Sequence, residues 1–229
     1  MKKRVGVVLL ALLPVFASAA EGPAADWSGL YLGAHLGGGR ADARWRSTAT
    51  IVTGDTVEHD TGAGVSGLQL GYRFRVARSW VVGVEGAYSW ARFRTFALSE
   101  ELDDAGAPGR FRETDLRNLY SVTGQVGYSE EGWLVYGKAG AAGSYAYLST
   151  LNGLNGVRSS LTDRPRGWTA GVGIDYLLKD RWSLGLEYDY YRLRLGDRTA
   201  TQSIGTSADY IGFTAKIDVL VVRLGRMFF

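Results

Sequence analysis

The sequence predicts an all-β fold: a transmembrane, antiparallel, up-and-down β-barrel of eight strands, with short turns at one rim and four long loops at the other. Three features of the 229 residues support this prediction. Apolar residues alternate with small or polar residues in eight segments, and the connections between segments alternate between short and long. Aromatic residues also cluster at both ends of the apolar face. Together these features are typical of a barrel that crosses a membrane with its strands.

The first predicted strand lies in the segment WSGLYLGAHLGGG, residues 27–39. The even-numbered residues from Leu30 to Leu36 are apolar, whereas the odd-numbered residues from Tyr31 to Gly37 are glycine, tyrosine and histidine. Because side chains alternate between the two faces of a strand, one face is apolar and the other is small and weakly polar. A soluble sheet would instead expose a face rich in Lys, Glu and Thr.

Seven later segments repeat this alternation. Tryptophans at positions 27, 80, 133 and 182 each begin a similar phrase, about fifty residues apart, which predicts four related two-stranded units. The seven segments cover residues 67–74, 80–90, 120–128, 133–144, 168–176, 182–190 and 220–225.

The connections between the strands differ regularly in length. Short turns are predicted at 75–79, at SEEG and at LLKD, and long loops near 40–62, 92–115, 148–166 and 195–212. In outer-membrane barrels the short turns are periplasmic and the long loops extracellular, and the strands have about ten residues. The sequence therefore predicts four extracellular loops.

Two aromatic girdles bound the apolar face. Trp and Tyr favour the two interfaces of a bilayer, so the apolar face is predicted to point outward into lipid. The alternative is a soluble ligand-binding barrel with this face inward, but such barrels lack paired aromatic belts. The girdle beside the short turns contains Tyr72, Phe74, Trp80, Tyr128, Trp133, Tyr176 and Trp182; the girdle beside the loops contains Tyr88, Trp90, Tyr120, Tyr145, Tyr147, Trp168, Tyr188 and Tyr190.

The N-terminus resembles a secretory leader. Lys2, Lys3 and Arg4 precede an apolar segment that ends in small residues near Ala19 and Ala20. We therefore predict a signal peptide at residues 1–20 and a barrel domain at residues 21–229. Removal of the leader leaves 23 basic and 23 acidic residues, so nucleic acid is not an expected partner. Cysteine is absent, which excludes disulfides and thiolate chemistry.

The face opposite the apolar one is predicted to fill a narrow lumen, because eight strands leave an interior just wide enough for side chains. Opposite charges in this space are expected to pair, since an unpaired buried charge is costly. The lumen is therefore predicted to be plugged. The predicted polar network consists of Glu85, Lys138, Glu187, Arg223, Asp175, Arg73, Gln69 and Gln125, and Asp189, Tyr31 and His35 share their face.

The entry DWSGLYLGAHLGG and the final strand DVLVVRLGRMFF resemble the small outer-membrane β-barrel family of Gram-negative bacteria that includes OmpA-like and Opa-like surface proteins. The resemblance implies an outer-membrane location and assembly by periplasmic chaperones and the barrel-assembly machinery, which would recognise Phe228 and Phe229. Arg226 departs from the alternation in this last strand. The resemblance also implies a gate in which Glu85 exchanges between Lys138 and Arg223.

The expected function is that of a surface protein with a structural, envelope-integrity or adhesion role through its extracellular loops. The alternative is a small-diameter, porin-like channel for ions or small solutes. Outer-membrane lipids and a host or matrix molecule at the loops are the expected partners. No cofactor, metal or enzyme activity is expected, because His35 and His59 are the two histidines and neither has a serine and an acid at a recognisable spacing.

Overall fold

The computed structural model describes residues 26–47, 58–98, 110–152, 158–196, 199–202 and 207–228. Within these ranges, no helix is both long enough and apolar enough to cross a membrane. The predicted leader at residues 1–20 and Phe229 lie outside the described residues. The elements are β1 (Gly29–Ser47), β2 (Glu58–Arg75), β3 (Trp80–Leu98), β4 (Arg110–Glu130), β5 (Trp133–Asn152), β6 (Arg158–Asp163), β7 (Arg166–Leu177), a 3-10 turn (Lys179–Arg181), β8 (Trp182–Leu195), β9 (Thr199–Gln202) and β10 (Ser207–Phe228).

Eight of these strands form the wall of a closed antiparallel barrel: β1, β2, β3, β4, β5, β7, β8 and β10. The last strand returns to the first, with Leu30 opposite Phe228 and Ser47 opposite Ile211. Because the barrel is closed, no sheet edge leaves backbone N–H and C=O groups unpaired in the hydrocarbon of the membrane. On the long-loop side, the short strands β6 and β9 continue the wall between β5 and β10. The predicted eight-stranded barrel is confirmed.

The three connections at the opposite rim are short. Between β4 and β5, Glu131 and Gly132 have φ values of +46° and +87°. These left-handed values are those of a two-residue type I′ hairpin turn, whose twist matches that of the strands. Residues 76–79 join β2 to β3, and the 3-10 turn Lys179–Arg181 joins β7 to β8. The predicted short-turn rim is therefore confirmed.

The apolar face of the barrel points outward. Leu36 is 69% exposed and Val122 is 68% exposed, whereas their inward-facing neighbours are polar or small. A soluble barrel would bury such residues in its interior, because burial of apolar surface is the main favourable term in folding. The alternative of a soluble ligand-binding barrel is thus excluded. Outward-facing residues are stabilised instead by contact with lipid.

The strands are longer than the sequence predicts, so parts of the four predicted loops are strand. β3 continues to Leu98, which lies opposite Phe111 of β4. His59, assigned to a polar loop, lies in β2 opposite Ala43. The strands continue because the inward-facing residues of these extensions are apolar, and Phe93 is only 1% exposed. Their burial offsets the conformational entropy lost when the backbone is ordered.

Trp27 differs from the other tryptophans that begin the predicted repeats. Trp80, Trp133 and Trp182 begin β3, β5 and β8 and point outward, with exposures from 39% to 50%. Trp27 precedes β1 and is completely buried. Gly29, at φ +124°, lies between Trp27 and the regular strand, and only glycine adopts this conformation without strain. The four similar phrases therefore place their tryptophans differently, with Trp27 inside the barrel and the other three outside.

The outward-facing aromatic side chains form two rings around the barrel, and pairs on the same strand or on neighbouring strands are in contact. The role of these rings at the bilayer interfaces stays a prediction, and their geometry agrees with the tilted contacts that aromatic pairs prefer. Ring centroids are 4.6 Å apart for Trp133 and Tyr176 and 5.7 Å for Trp80 and Tyr128 on the short-turn side, and 5.9 Å for Tyr120 and Tyr145, 5.6 Å for Tyr88 and Trp90 and 5.6 Å for Trp168 and Tyr190 on the long-loop side. Tyr188 is also outward-facing and 39% exposed.

Candidate functional site: a filled lumen with a central charge network

The structure places every residue of the predicted polar network inside the barrel. Each of these side chains belongs to a residue that is at most 7% exposed, so solvent screens their charges little. Together with Asp189, they supply three cationic and four acidic groups to the described part of the lumen. The residues are Glu85, Lys138, Glu187, Arg223, Asp175, Arg73, Gln69 and Gln125.

Lys138 and Arg223 lie at the centre of the network and share two carboxylates. The Lys138 ammonium is 3.2 Å from Glu85 Oε1 and 2.7 Å from Glu187 Oε1. A third carboxylate, Asp189, is 3.1 Å from the same ammonium. Arg223 forms ion pairs with both Glu85 and Glu187. The four side chains come from β3, β5, β8 and β10, so the network connects widely separated parts of the wall.

Two tyrosines donate hydrogen bonds to the shared carboxylates. The Tyr31 hydroxyl lies 2.8 Å from Glu85 Oε2, and the Tyr136 hydroxyl lies 2.6 Å from Glu187 Oε2. Hydrogen bonds to a charged acceptor are stronger than those between neutral groups. The phenols therefore satisfy oxygen atoms that the two cations alone would leave partly unpaired. The sequence places Tyr31 on the lumen face, but its spacing gives no signal for this bridging role.

Glycines opposite these tyrosines make room for the rings. A Cβ atom added at Gly71 would overlap the Tyr31 ring, and one added at Gly173 would overlap the Tyr136 ring. Both glycines face the lumen, where the wall must approach the phenols closely. The glycines on the inner face of the strands thus leave the space that the large lumen side chains occupy.

Arg73 and Asp175 form a second ion pair nearer the short turns, with Nη2 and Oδ2 2.9 Å apart. Arg73 also donates to Gln125, at 3.4 Å, and its guanidinium lies 4.4 Å from the centre of the Tyr31 ring. Gln125 in turn donates to the Tyr31 hydroxyl, at 3.2 Å. This pair is therefore connected to the central network through Tyr31.

Gln69 belongs to a separate group on the other side of the centre. Its Oε1 atom is 2.7 Å from Nδ1 of His35, and Nε2 of His35 is 2.9 Å from the Ser89 hydroxyl. His35 thus uses both ring nitrogens in contacts between β1, β2 and β3. The structure brings together seven of the eight predicted network residues in one connected group and places Gln69 in this neighbouring one.

An apolar layer fills the lumen on the long-loop side of the charge network. Six of its large side chains are at most 1% exposed, and they face one another across the barrel. This layer was not predicted, because it lies beyond the ends of the shorter strands that the sequence pattern predicts. Apolar residues at alternate positions in 91–93 and 215–221 are the signal that could have found it. The layer includes Phe93, Leu116, Leu119, Leu148, Leu193 and Ile217.

A second apolar cluster closes the lumen on the short-turn side. Trp27 lies in this cluster with Val81, Leu134 and Met227, all at most 3% exposed. The guanidinium of Arg73 is 5.4 Å from the centre of the Trp27 ring, so the cluster also contacts the charged layer. The described lumen therefore has three layers: an aromatic and aliphatic base, a charged middle and an aliphatic top.

A further charge cluster lies on the outer wall beyond the girdle on the long-loop side. Asp115 of β4 accepts hydrogen bonds from Arg92, at 2.8 Å, and from Arg117, at 2.7 Å. Burial raises the pKa of Asp115, but the hydrogen bonds from Arg117 and Arg92 lower it by more, so the pKa lies below its usual value. This carboxylate compensates two arginines that lie directly opposite each other on β3 and β4.

The arrangement defines a class of protein. A closed barrel of eight antiparallel strands with an apolar outer face and a filled, charged lumen is a small transmembrane β-barrel. A family model described as "Outer membrane protein beta-barrel domain" matches residues 7–216, and the chain belongs to this family. The protein is accordingly an outer-membrane β-barrel protein.

The curated relatives carry similar descriptions. The 25 kDa outer-membrane immunogenic protein of Brucella canis is 30% identical over 216 residues, which cover 93% of this chain and 83% of the relative. The 31 kDa outer-membrane immunogenic protein of Brucella melitensis biotype 1 is 27% identical over 211 residues, which cover 87% of this chain and 82% of the relative. This similarity supports the outer-membrane location.

Solved structures of similar shape include two small barrels. Ail, the attachment invasion locus protein of Yersinia pestis, is 18% identical with a TM-score of 0.38, over 86% of this chain and 99% of Ail. Neisserial surface protein A is 16% identical with a TM-score of 0.39, over 88% of this chain and 98% of that protein. These similarities concern the fold alone.

Proposed function

We propose that this protein is a surface protein whose barrel is a closed, rigid anchor in the outer membrane and whose extracellular end carries a structural, envelope-integrity or adhesion role. The observation that supports this proposal is the three-layer filling of the described lumen. The apolar layer that contains Phe93 and Leu193 lies between the charge network and the extracellular end. Side chains in such a layer pack at the density of a protein interior, which leaves no continuous path for water.

The charge network supports the same proposal. Lys138, Glu85, Glu187 and Arg223 satisfy one another within the barrel, and breaking a buried ion pair is strongly destabilising. Passage of a hydrated ion would require these pairs and the layers on both sides to separate together. The function is therefore expected at the extracellular end, where segments such as 99–109 connect the long strands.

Export, assembly and surface exposure complete the proposal. Residues 1–20 would be removed as a signal peptide, leaving 21–229 as the barrel domain. Periplasmic chaperones and the barrel-assembly machinery would recognise the C-terminal aromatic residues Phe228 and Phe229. Phe228 supports this role because it continues the outward face of β10, with 37% exposure. The relatives are named as immunogenic proteins, which favours a surface that is accessible from outside the cell.

Current recordings test the closed anchor. The chain 21–229 would be refolded in detergent, checked by the different migration of boiled and unboiled samples, and inserted in a planar bilayer. We expect no discrete current steps from the wild type. A Phe93→Ala, Leu193→Ala double variant removes two large side chains from the apolar layer and serves to show that the assay detects an opened lumen. Discrete steps from the wild type would refute the closed anchor.

A porin-like channel is the second candidate function, and one contact favours it. Because Lys138 lies between Glu85 and Glu187, and Arg223 contacts both, the pairs can exchange partners without leaving a carboxylate unpaired. In a channel of this kind, wild-type current steps would change when Glu85→Gln or Lys138→Met is introduced. Their absence in a correctly folded sample would exclude this candidate.

The role of the extracellular end needs cell-based measurements. Segment 99–109 would be replaced by a short Gly-Ser linker, since the described strands end at Leu98 and resume at Arg110. Cells that lack the gene, complemented with the wild type or this variant, would be compared for binding to an immobilised matrix extract and for detergent sensitivity. Lost binding with normal detergent resistance indicates adhesion, and the reverse indicates envelope integrity. Normal values for the gene-deleted cells in both assays would refute the proposal.

A further inference from the structure

Four cationic side chains form a patch on the outer wall, on the β7, β8 and β10 side of the barrel. Their neighbours along each strand face the lumen, whereas these four face outward. We call them the basic patch, which consists of Arg166, Arg192, Arg194 and Lys216. The patch lies in a part of the wall where each strand is paired on both sides.

Strand register brings like charges of the patch directly together. Arg166 of β7 lies opposite Arg194 of β8, and Arg192 of β8 lies opposite Lys216 of β10. Directly opposed residues have Cβ atoms about 5 Å apart, and opposed like charges destabilise a sheet. The patch is therefore a site of electrostatic repulsion unless an anion lies on it.

No described carboxylate lies directly opposite the three arginines of the patch on a neighbouring strand. Among the described residues, none of the four cations has an ion-pair partner within 4.0 Å, and the Nε atom of Arg192 is buried without a hydrogen-bond partner. Asp42 of β1 lies opposite Lys216 in register, and Asp218 instead accepts a hydrogen bond from Tyr188. The donors of the patch are thus available to an external ligand.

The cluster around Asp115 shows that the chain compensates like charges elsewhere at the same height. Arg92 and Arg117 also lie directly opposite each other, and Asp115 pairs with both. Arg92 follows Trp90 of the girdle by two residues, just as Arg192 follows Tyr190. Arg92 and Arg192 therefore lie at the same offset from the girdle and differ in whether a carboxylate compensates them.

The height of the basic patch indicates what its ligand is. Arg192 lies opposite Trp168, whose ring contacts Tyr190 with centroids 5.6 Å apart. Aromatic residues of this kind lie at the headgroup level of a membrane. Arg166 and Arg194 lie two residues further towards the extracellular end. The patch thus faces the headgroups of the outer leaflet, where clusters of Lys and Arg recognise anionic lipids.

We propose that the basic patch binds the phosphate groups of a phosphorylated lipid in the outer leaflet. Guanidinium groups match phosphate oxygens through paired hydrogen bonds, and the ammonium of Lys216 adds a point charge. The bound phosphate removes the repulsion between the opposed cations. This proposal rests on the outer-membrane location of the barrel and is independent of the adhesive or structural role of the extracellular end.

Two matched double variants test the proposal. Arg166→Gln with Arg194→Gln removes the uncompensated pair, and Arg92→Gln with Arg117→Gln removes the pair held by Asp115. Each protein would be inserted in phosphatidylcholine nanodiscs with and without diphosphoryl lipid A. The unfolding temperature would be measured by tryptophan fluorescence, and bound lipid A would be counted by native mass spectrometry.

We expect lipid A to raise the wild-type unfolding temperature and to remain bound. In the Arg166/Arg194 variant the shift should disappear and lipid A binding should weaken by about tenfold or more, since each lost hydrogen bond to a charged group contributes about that factor. In pure phosphatidylcholine the same variant should unfold at a higher temperature than the wild type, because repulsion has been removed. The Arg92/Arg117 variant should keep the lipid A shift.

Three outcomes would overturn the proposal. Equal loss of lipid A binding in both variants would indicate a general effect of charge. An unchanged shift in the Arg166/Arg194 variant would show that the patch is not the site. Inorganic phosphate added to the phosphatidylcholine nanodiscs provides the remaining comparison, because a shift as large as that with lipid A would assign the patch to a free anion rather than to a lipid.

Discussion

Replacement of Lys138 by methionine is the sharpest test of the charge network. The substitution retains most of the side-chain volume and removes the ammonium that contacts three carboxylates at 2.7 Å, 3.1 Å and 3.2 Å. Glu85 and Glu187 would then keep Arg223 as an ion-pair partner, whereas Asp189 would lose its partner Lys138. Because the Lys138 side chain is only 2% exposed, solvent does not screen the loss.

The expected cost follows from two opposing effects. At an effective dielectric constant of about 20, a pair of charges about 3 Å apart gains roughly 5 kcal/mol. Removing the lysine also removes its own desolvation penalty, which is several kcal/mol in a buried site, but it leaves carboxylates uncompensated. We therefore expect Lys138→Met to lower the free energy of unfolding by about 3 to 5 kcal/mol, the usual cost of breaking a buried pair from one side.

Urea titration of the barrel in lipid vesicles, followed by tryptophan fluorescence, measures this change. Lys179→Met is the matched control, because Lys179 is exposed in the turn between β7 and β8 and its loss should change stability by at most about 0.5 kcal/mol. In the double variant Lys138→Met with Glu187→Gln, removal of one orphaned charge should restore about 1 to 3 kcal/mol. A single variant within about 1 kcal/mol of the wild type, or strictly additive effects in the double variant, would refute the pairing argument.

Three further predictions concern packing and pH. Gly71→Ala should destabilise the barrel in urea by about 1 to 3 kcal/mol, because the added methyl group overlaps the Tyr31 ring; Gly124→Ala, which meets no atom within 4 Å, is the control, and equal effects would contradict the fit. Trp27→Ala should cost about 3 to 5 kcal/mol in the same assay, since the side chain is fully buried, whereas a smaller effect would mean that Trp27 does not hold the base of the lumen together. Hydrogen bonds from Arg117 and Arg92 lower the pKa of Asp115 despite its burial, so its contribution is present above the usual aspartate value of about 3.9 and is lost as the pH falls through the lowered value. Asp115→Asn should therefore differ from the wild type at pH 7 and converge with it in thermal unfolding as the pH falls below the lowered pKa of Asp115, and a difference that is constant with pH would contradict the assignment.

The alternation of residues predicts the barrel well, because a period of two fixes which side of a strand each residue occupies. Four charged residues lie inside the barrel because, along their strands, they occupy the same alternate positions as the glycines rather than those of the leucines. They are Glu85, Lys138, Glu187 and Arg223. The same parity assigns Phe228 to the outer face in spite of Arg226, whose guanidinium lies 5.7 Å from the Phe228 ring centre. The placement of the polar residues could thus be predicted before any contact was known.

Contacts across the lumen could not be predicted in this way. The alternation of residues predicts that Arg73 faces inward. Its ion pair with Asp175, however, depends on the diameter of the closed barrel and on the stagger of its strands. Trp27 illustrates a second limit, since one glycine with positive φ separates it from the regular alternation. The apolar top layer was missed because charged outward residues such as Arg92 and Arg94 make the strand extensions resemble solvated loops in the sequence.

The central ion pairs also have a consequence for how the barrel inserts. Glu85 and Arg223 are 138 positions apart in the chain and meet only when the last strand has closed against the first. If one strand slipped by a single residue, its lumen charge would face the hydrocarbon, at a cost of about 2 to 4 kcal/mol for a cation at mid-membrane. The network thus selects against one-residue register errors during insertion, because a strand slipped by one residue exposes its lumen charge to lipid.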